Sequence, residues 1–357
     1  MSRFMSGRHA ALVPYVPGEQ PRDMQYTKLN TNESPFPPSA AVLRAVTDEA
    51  ARLHLYSDPE CSLLRRKAAA LYGVGPENIL PVNGSDEILY FAFLAFGDDE
   101  HPFAFPDISY GFYPVYAEMC RVPAHILPLK ADFSVDPEDY IGLGENIVLA
   151  NPNAPTGMVL SAAQIERIVA SNPDNVVVID EAYVDFGGES CVPLIAKYPN
   201  LLVTQTFSKS RSMAGARLGF GIACDSLIRD LNTIKYSVNP YNVNRMTQAA
   251  GCAAIDDDFY YMENARVIAE NRTFCAEALG ALGFTVLPSR ANFLFAAHPM
   301  LPGGELYRSL KERGVLIRWF DKDRIRDFTR ITVGTREQMD LLLTNIRAIM
   351  NERGIIA

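Results

Sequence analysis

Four short segments carry residues whose types and spacing can do chemistry. In PVNGSDEILYF, an apolar stretch ends at Val82, Asn83-Gly84 turns, and a helical pattern opens at Ser85. Free backbone amides and the helix dipole at such a junction suit a phosphate. A plain capped helix reads the same way. Asp86 is awkward beside an anion, so its side chain is expected to turn away while the amides bind. In VVVIDEAYVDF, four apolar residues lead to Asp180. A carboxylate at the end of a buried strand needs a partner. It can be a metal ligand, a structural acceptor or the partner of a protonated ring nitrogen, and no ligand cluster nearby favours the first. In LLVTQTFSKSRSMAGARLGFG, Ser208, Lys209, Ser210 and Arg211 follow a buried run, and Arg217 precedes another. Such a loop is either a solvated basic turn or the seat of a Schiff-base lysine whose amine is tuned by its site. In ANPNAPTG, two Asn and two Pro after Ala150 give fixed turns and side-chain amide donors.

The elements that must position these residues are legible as an α/β pattern. Apolar runs at 78–82, 102–105, 147–150, 176–179, 201–204 and 219–223 read as strands, several without alternation, as in a largely parallel sheet buried on both faces. Helices alternate with them, among them Ser85–Phe96 and one starting at Ser161 with Gln164 at capping-box spacing. All four segments lie just past strand ends, where open α/β sheets bind ligands. After about residue 240 the pattern changes. A long helix over 257–282 is followed by strands at 292–296, 315–318 and 328–333, with a helix at 305–313 between the first two. A final helix opens on the Thr335/Gln338 capping box and stops near Gly354. The first 40 residues, rich in Pro, read as an extended arm with turns.

Composition narrows the function classes. The 357 residues carry 33 Lys and Arg against 42 Asp and Glu, a formal charge of −9. That argues against binding nucleic acid or an anionic membrane through bulk charge, and leaves room for a local cationic pocket. Six scattered Cys without a C-x-x-C, and five His without an H-x-x-x-H, argue against a disulfide framework or a metal site. No signal-peptide pattern opens the chain and no apolar run is long enough to span a bilayer, so a cytoplasmic location is expected. GFGIAC lacks the third Gly of a dinucleotide fingerprint and opens a strand-like run, so that reading is set aside.

Taken together, the segments are specific. VPYVPGE, LNTNESPFPPS, LYSDPE, NGSDE, PDISYGFYPVYAE, NPNAPTG, VVIDEAYVDF, TFSKSRSMAGARLGFG, ANFLF, GVLIRWF and TRITVGTREQM follow one another over nearly the whole chain. In this order they resemble the fold type I aminotransferases that depend on pyridoxal 5'-phosphate (PLP), and most of all the histidinol-phosphate aminotransferase family. The resemblance implies a large PLP-binding domain over 46–240 with a mainly parallel seven-stranded sheet. It implies a smaller α+β domain over 241–357, joined by an N-terminal arm over 1–45. It implies aminotransfer from L-histidinol phosphate to 2-oxoglutarate in histidine biosynthesis, by a homodimer. An aromatic amino acid aminotransferase and a threonine-phosphate decarboxylase remain alternatives on the same scaffold. A PLP-sensing DNA-binding regulator would need a helical module that the turn-rich N-terminus does not offer.

Roles follow from the same likeness. Lys209 matches the Schiff-base lysine, Asp180 the carboxylate on the pyridine nitrogen, and Tyr183 the phenol on the ring oxygen. Tyr110 matches the aromatic stacked on the ring. Gly84, Ser85, Ser208 and Arg217 match the phosphate cup, Asp86 is counted among the cofactor-binding residues, and Tyr56 matches a residue that reaches the phosphate of the other subunit. Tyr15, Asn30, Arg318 and Arg330 match positions lining the substrate site, with Arg330 the main anion partner. The family usually has Asn immediately before PTG. Here that position is Ala154, so either Asn153 reaches the ring oxygen through a shifted loop or Tyr183 serves it alone.

Overall fold

The computed structural model describes residues 2–355. Among these, twelve strands run in chain order as β1 (Thr27–Leu29), β2 (Ile79–Val82), β3 (Phe103–Pro106), β4 (Ala124–Leu127), β5 (Asn146–Ala150) and β6 (Val177–Asp180), then β7 (Leu201–Thr206), β8 (Gly219–Ala223), β9 (Thr285–Val286), β10 (Phe293–Ala297), β11 (Val315–Trp319) and β12 (Phe328–Thr332). They form two sheets. The larger has the order β2-β8-β7-β6-β5-β3-β4. Its pairs from β7 through β4 are parallel, and only β8 runs against its neighbours β2 and β7.

The apolar runs form this sheet because both of its faces are covered. Side chains alternate across a strand. Ile147 and Leu149 of β5, with Ile179 and Val203 from the next strands, pack against Leu64, Ile165 and Ile168. Val148, Val178 and Leu202 point the other way, onto Ile88, Phe91 and Leu231. Every residue of β5, β6 and β7 is buried. The seventh strand, β4, is absent from the sequence-based reading. It lies at the sheet edge and three of its four residues are exposed, so it carries little apolar signal.

The smaller sheet has the order β1-β11-β12-β10-β9, with β1 parallel to β11 and the other pairs antiparallel. The helices Asp258–Ala281, Gly303–Glu312 and Arg336–Glu352 cover it through Ile268, Leu279, Leu306, Leu310, Leu342 and Ile346. The expected capping box is present, with the Thr335 side chain accepting from the amide of Gln338. The N-terminal arm is tied into this sheet by β1. Among the described residues, no helix is long and apolar enough to cross a membrane, and no cluster of His, Cys, Asp or Glu could hold a metal.

Candidate active site

The carboxyl ends of the parallel strands share one edge, and the chemistry-bearing residues converge there. Asp180 is the last residue of β6, and Lys209 lies three residues past the end of β7. Ala154 follows β5 and Tyr110 follows β3. Two adjoining cavities result. One, of about 170 Å³, is lined by Ser85, Asp86, Tyr110, Asp180, Tyr183, Ser208, Lys209 and Arg217, among others. The second, of about 550 Å³, lies toward the small sheet and includes Tyr15, Asn32, Arg318 and Arg330. Tyr110, Ala154, Tyr183 and Lys209 line both.

At the floor, Asp180 is only 4% exposed. Its Oδ2 accepts from the Tyr113 hydroxyl at 3.0 Å and its Oδ1 from the Ala182 amide at 3.2 Å. Burial pushes its carboxyl up to about 6 even so. A carboxylate held there without a salt-bridge partner is poised to receive a cationic group. Tyr113 was not singled out in the sequence, although it lies in the same SYGFY segment as Tyr110.

Lys209 directs Nζ over the Tyr183 ring, 5.7 Å from its centroid, and donates to the Thr31 carbonyl at 3.3 Å. The Tyr183 ring meets Phe293 edge-on at 5.0 Å. Its hydroxyl oxygen accepts from Asn32 Nδ2 at 2.9 Å.

The opposite end of the smaller cavity is a cup of hydrogen-bond donors around Arg217. Arg217, at φ 56, donates through Nη1 to Ser208 Oγ at 3.2 Å and through Nη2 to Asp86 Oδ2 at 3.0 Å. Gly84 caps the helix Ser85–Phe96 at φ 77, and a Cβ there would run into the Arg217 guanidinium. The cradle therefore needs glycine for both conformation and space. The helix start leaves amides without internal acceptors beside a guanidinium, a donor set that fits a phosphate. The Asp86 side chain does not turn away as expected. It faces the cavity, pairing with Arg217 and accepting from the Tyr110 hydroxyl at 2.6 Å. The neighbouring guanidinium offsets its charge, which removes the reason for it to leave.

In the larger cavity, Arg318 and Arg330 are directly opposite each other on antiparallel β11 and β12. Like charges so placed repel, and neither pairs with a carboxylate among the described residues. Arg330 donates to the Asn30 carbonyl at 3.0 Å, while its buried Nε has no partner. Burial, with Arg318 adding to it, holds this guanidinium below its ordinary range. Arg318 donates to the carbonyls of Val16 and Pro17 at 3.1 and 3.2 Å, strapping the N-terminal arm across the cavity. Tyr15, on that arm, stacks on Phe112 at 4.2 Å. Its hydroxyl is raised above its usual range, chiefly by burial.

Two expected side chains turn away from the cavities. The Asn153 side chain is buried outside both cavities. Its Oδ1 accepts from Ser109 at 2.7 Å, and its Nδ2 donates to the Ile108 carbonyl and to Thr156 Oγ1 at 3.0 and 3.1 Å. With its bonds spent on the loop, it has nothing to offer the cavity, whose wall there is Ala154. The Asn30 side chain also turns away, donating to the Glu19 carbonyl at 2.8 Å and so anchoring the arm. Its neighbour Asn32, in the same LNTNESP segment, faces the cavity instead. Tyr56 is remote from both cavities in this protomer, 78% exposed and stacked on Tyr241 at 4.5 Å.

Known proteins are similar to this chain in sequence and in fold. A family model described as aminotransferase class I and II matches residues 25–346. A histidinol-phosphate aminotransferase of Brachyspira hyodysenteriae is 46% identical over 352 residues, covering 98% of this chain and 99% of that protein. One from Aromatoleum aromaticum is 46% identical over 355 residues, 98% of this chain and all of the other. The crystal structure of the histidinol-phosphate aminotransferase from Clostridium acetobutylicum superposes with a TM-score of 0.84 at 23% identity, over 91% of this chain and 99% of its own. The Sinorhizobium meliloti structure of the same name, in complex with pyridoxal-5'-phosphate, gives 0.82 at 24%, over 91% and 92%. These two structures speak to the fold, and the sequence matches carry the kinship: the chain belongs to the class I and II aminotransferase family.

Proposed function

We propose that this chain is a PLP-dependent aminotransferase that moves the amino group of L-histidinol phosphate to 2-oxoglutarate, a step of histidine biosynthesis in the cytoplasm. The observation that carries the substrate class is the pair of cross-strand arginines, Arg318 and Arg330, without a carboxylate partner among the described residues, above a cavity that holds Lys209 and Asp180. Histidinol phosphate brings a phosphate and 2-oxoglutarate two carboxylates. Planar guanidinium groups bind either anion in bidentate fashion. The names of the relatives, at 43–46% identity over almost the full chain, support the same donor.

The residues divide the work. Bound PLP supplies an electron sink for negative charge on the substrate carbon. The amides at the start of the helix Ser85–Phe96, with Ser208 and Arg217, would hold its phosphate. Asp180 would keep its ring nitrogen protonated, Tyr110 would cover one face, and Tyr183 would donate to its ring oxygen. Lys209 Nζ would anchor the group, and its freed amine would act as the base that takes a proton from the substrate carbon and as the acid that gives it back. Arg330 binds the substrate anion. Arg318 and Tyr15 close the arm over it and exclude water.

Purified protein should be yellow, and borohydride should fix PLP to Lys209, as mass spectrometry of the peptides would show. Steady-state kinetics with histidinol phosphate, phenylalanine and tyrosine decide the donor. A higher kcat/KM for either aromatic amino acid would make the chain an aromatic aminotransferase instead. Losing one charge-assisted pair in a closed site costs about 2–5 kcal/mol. Arg330→Ala should therefore weaken both half-reactions by at least tenfold. Arg318→Ala should hurt histidinol phosphate more than a phosphate-free donor.

A further inference from the structure

Asn32 stands at φ 57, a left-handed conformation that Asn tolerates better than most side chains. It is completely buried and tied on every side. Its amide N–H donates to Thr332 Oγ1 at 2.9 Å, and that hydroxyl donates back to Asn32 Oδ1 at 3.0 Å. Its carbonyl accepts from Asn292 Nδ2 at 2.9 Å. With Oδ1 held by Thr332, the remaining arm of the amide, Nδ2, donates to the Tyr183 hydroxyl oxygen at 2.9 Å.

A phenol has one hydrogen. An oxygen that accepts from Asn32 must send that hydrogen another way, and Tyr183 makes no other side-chain bond among the described residues. The free direction opens on the cavity shared with Lys209 and Ala154. Ala154 occupies the position before Pro155-Thr156-Gly157 and carries no donor, and Asn153 is spent on its own loop.

We infer that Asn32 is a positioning residue that aims the Tyr183 hydroxyl hydrogen at the cofactor ring oxygen, compensating through Tyr183 for the donor that Ala154 lacks. This rests on the reading that Tyr183 serves that oxygen. Donation into a phenol oxygen also strengthens the phenol as a donor. A weaker donor leaves more charge on the ring oxygen, which then holds the proton on the attached Lys209 nitrogen more tightly.

The test reads the pH midpoint of the visible absorbance of holoenzyme, with no turnover involved. Asn32→Gly keeps the left-handed backbone and removes the donor. It should raise the midpoint by about half a pH unit to one unit, the worth of one hydrogen bond. Thr332→Val, nearly isosteric, frees the amide to rotate and should give a smaller rise. It decides the matter if Asn32→Gly does not fold. Tyr183→Phe should raise the midpoint at least as far as Asn32→Gly, and adding Asn32→Gly to it should change nothing more. Ala154→Asn in the Asn32→Gly background should bring the midpoint back down. A midpoint that falls or stays put in folded Asn32→Gly overturns the inference, because the phenol would then have been donating to Asn32 all along. An unmoved midpoint in Tyr183→Phe would instead overturn the underlying assignment of Tyr183. An unmoved midpoint on adding Ala154→Asn would overturn the compensating role.

Discussion

Asp180 shows how one residue couples the chemistry to stability. Its carboxyl titrates near 6 in the folded chain because burial penalises the charge, while an ordinary carboxyl titrates near 3.8. A raised folded value means that stability from this group is fully present below about pH 4, where folded and unfolded chains are both protonated, and is lost as pH rises through about 6. At pH 8 the cofactor-free protein therefore bears an ionised, buried carboxylate, costing up to roughly 3 kcal/mol. Asp180→Asn should make cofactor-free protein more stable than wild type at pH 8, with the difference closing toward pH 4. Urea unfolding at the two pH values measures it, and equal stability at pH 8 would refute the argument. With PLP bound the sign should reverse in function, since asparagine cannot keep the ring nitrogen protonated. Turnover should then fall by orders of magnitude while the cofactor stays bound.

Elements turn such residues into a site, and they differ in how plainly the sequence announces them. The central strands were legible because burial on both faces demands unbroken apolar runs. Capping boxes at Ser161 and Thr335 were legible because they are local. Strand β4 was not, since an exposed edge needs no apolar pattern. Which of two nearby asparagines meets the cavity was not legible either. Asn30 and Asn32 differ by two residues, and the Glu19 carbonyl of the arm holds the one side chain while Thr332, 300 residues on, holds the other. The direction of Asp86 was not legible because its counter-charge, Arg217, lies 131 residues on. The start of the helix Ser85–Phe96 gives the sharpest test at this scale. Gly84→Ala would place a Cβ against Arg217 in a strained backbone, costing about 1–3 kcal/mol and distorting the phosphate cradle. PLP affinity should drop about tenfold or more, as a lost charge-assisted contact implies. Thr335→Ala removes a remote cap and should cost about 1 kcal/mol with PLP affinity intact. Calorimetry and PLP titration on both variants separate the two effects. Unchanged affinity in a folded Gly84→Ala would rule out the cradle.

At the scale of the whole molecule, one protomer leaves apolar surface that invites a partner. Leu43, Leu53, Leu55, Tyr56, Leu63 and Tyr241 are all exposed, within or against the 43–63 stretch that precedes the large sheet. Exposed apolar groups gathered in this way mark interaction sites. Tyr56 is far from its own phosphate cup, whereas its likeness to a cofactor-contacting residue would have it meet one. We propose that a two-fold homodimer would resolve this, because an isologous interface would give each site the other protomer's Tyr56. Each active site would then be composite. Lys209→Ala protomers lack the anchoring amine, and Tyr56→Phe protomers damage only the partner's site. A mixed dimer places both lesions in a single site, since the Lys209→Ala protomer receives the partner's altered Tyr56, and leaves the other site with a native lysine and a native tyrosine. Mixing the two inactive or impaired proteins, after dissociation and reassociation, should therefore restore activity toward one native site per mixed dimer. If lesions instead acted within their own protomer, each mixed dimer would hold two defective sites and no activity would return. Sedimentation supplies the second check: a fully active monomer would exclude the shared site.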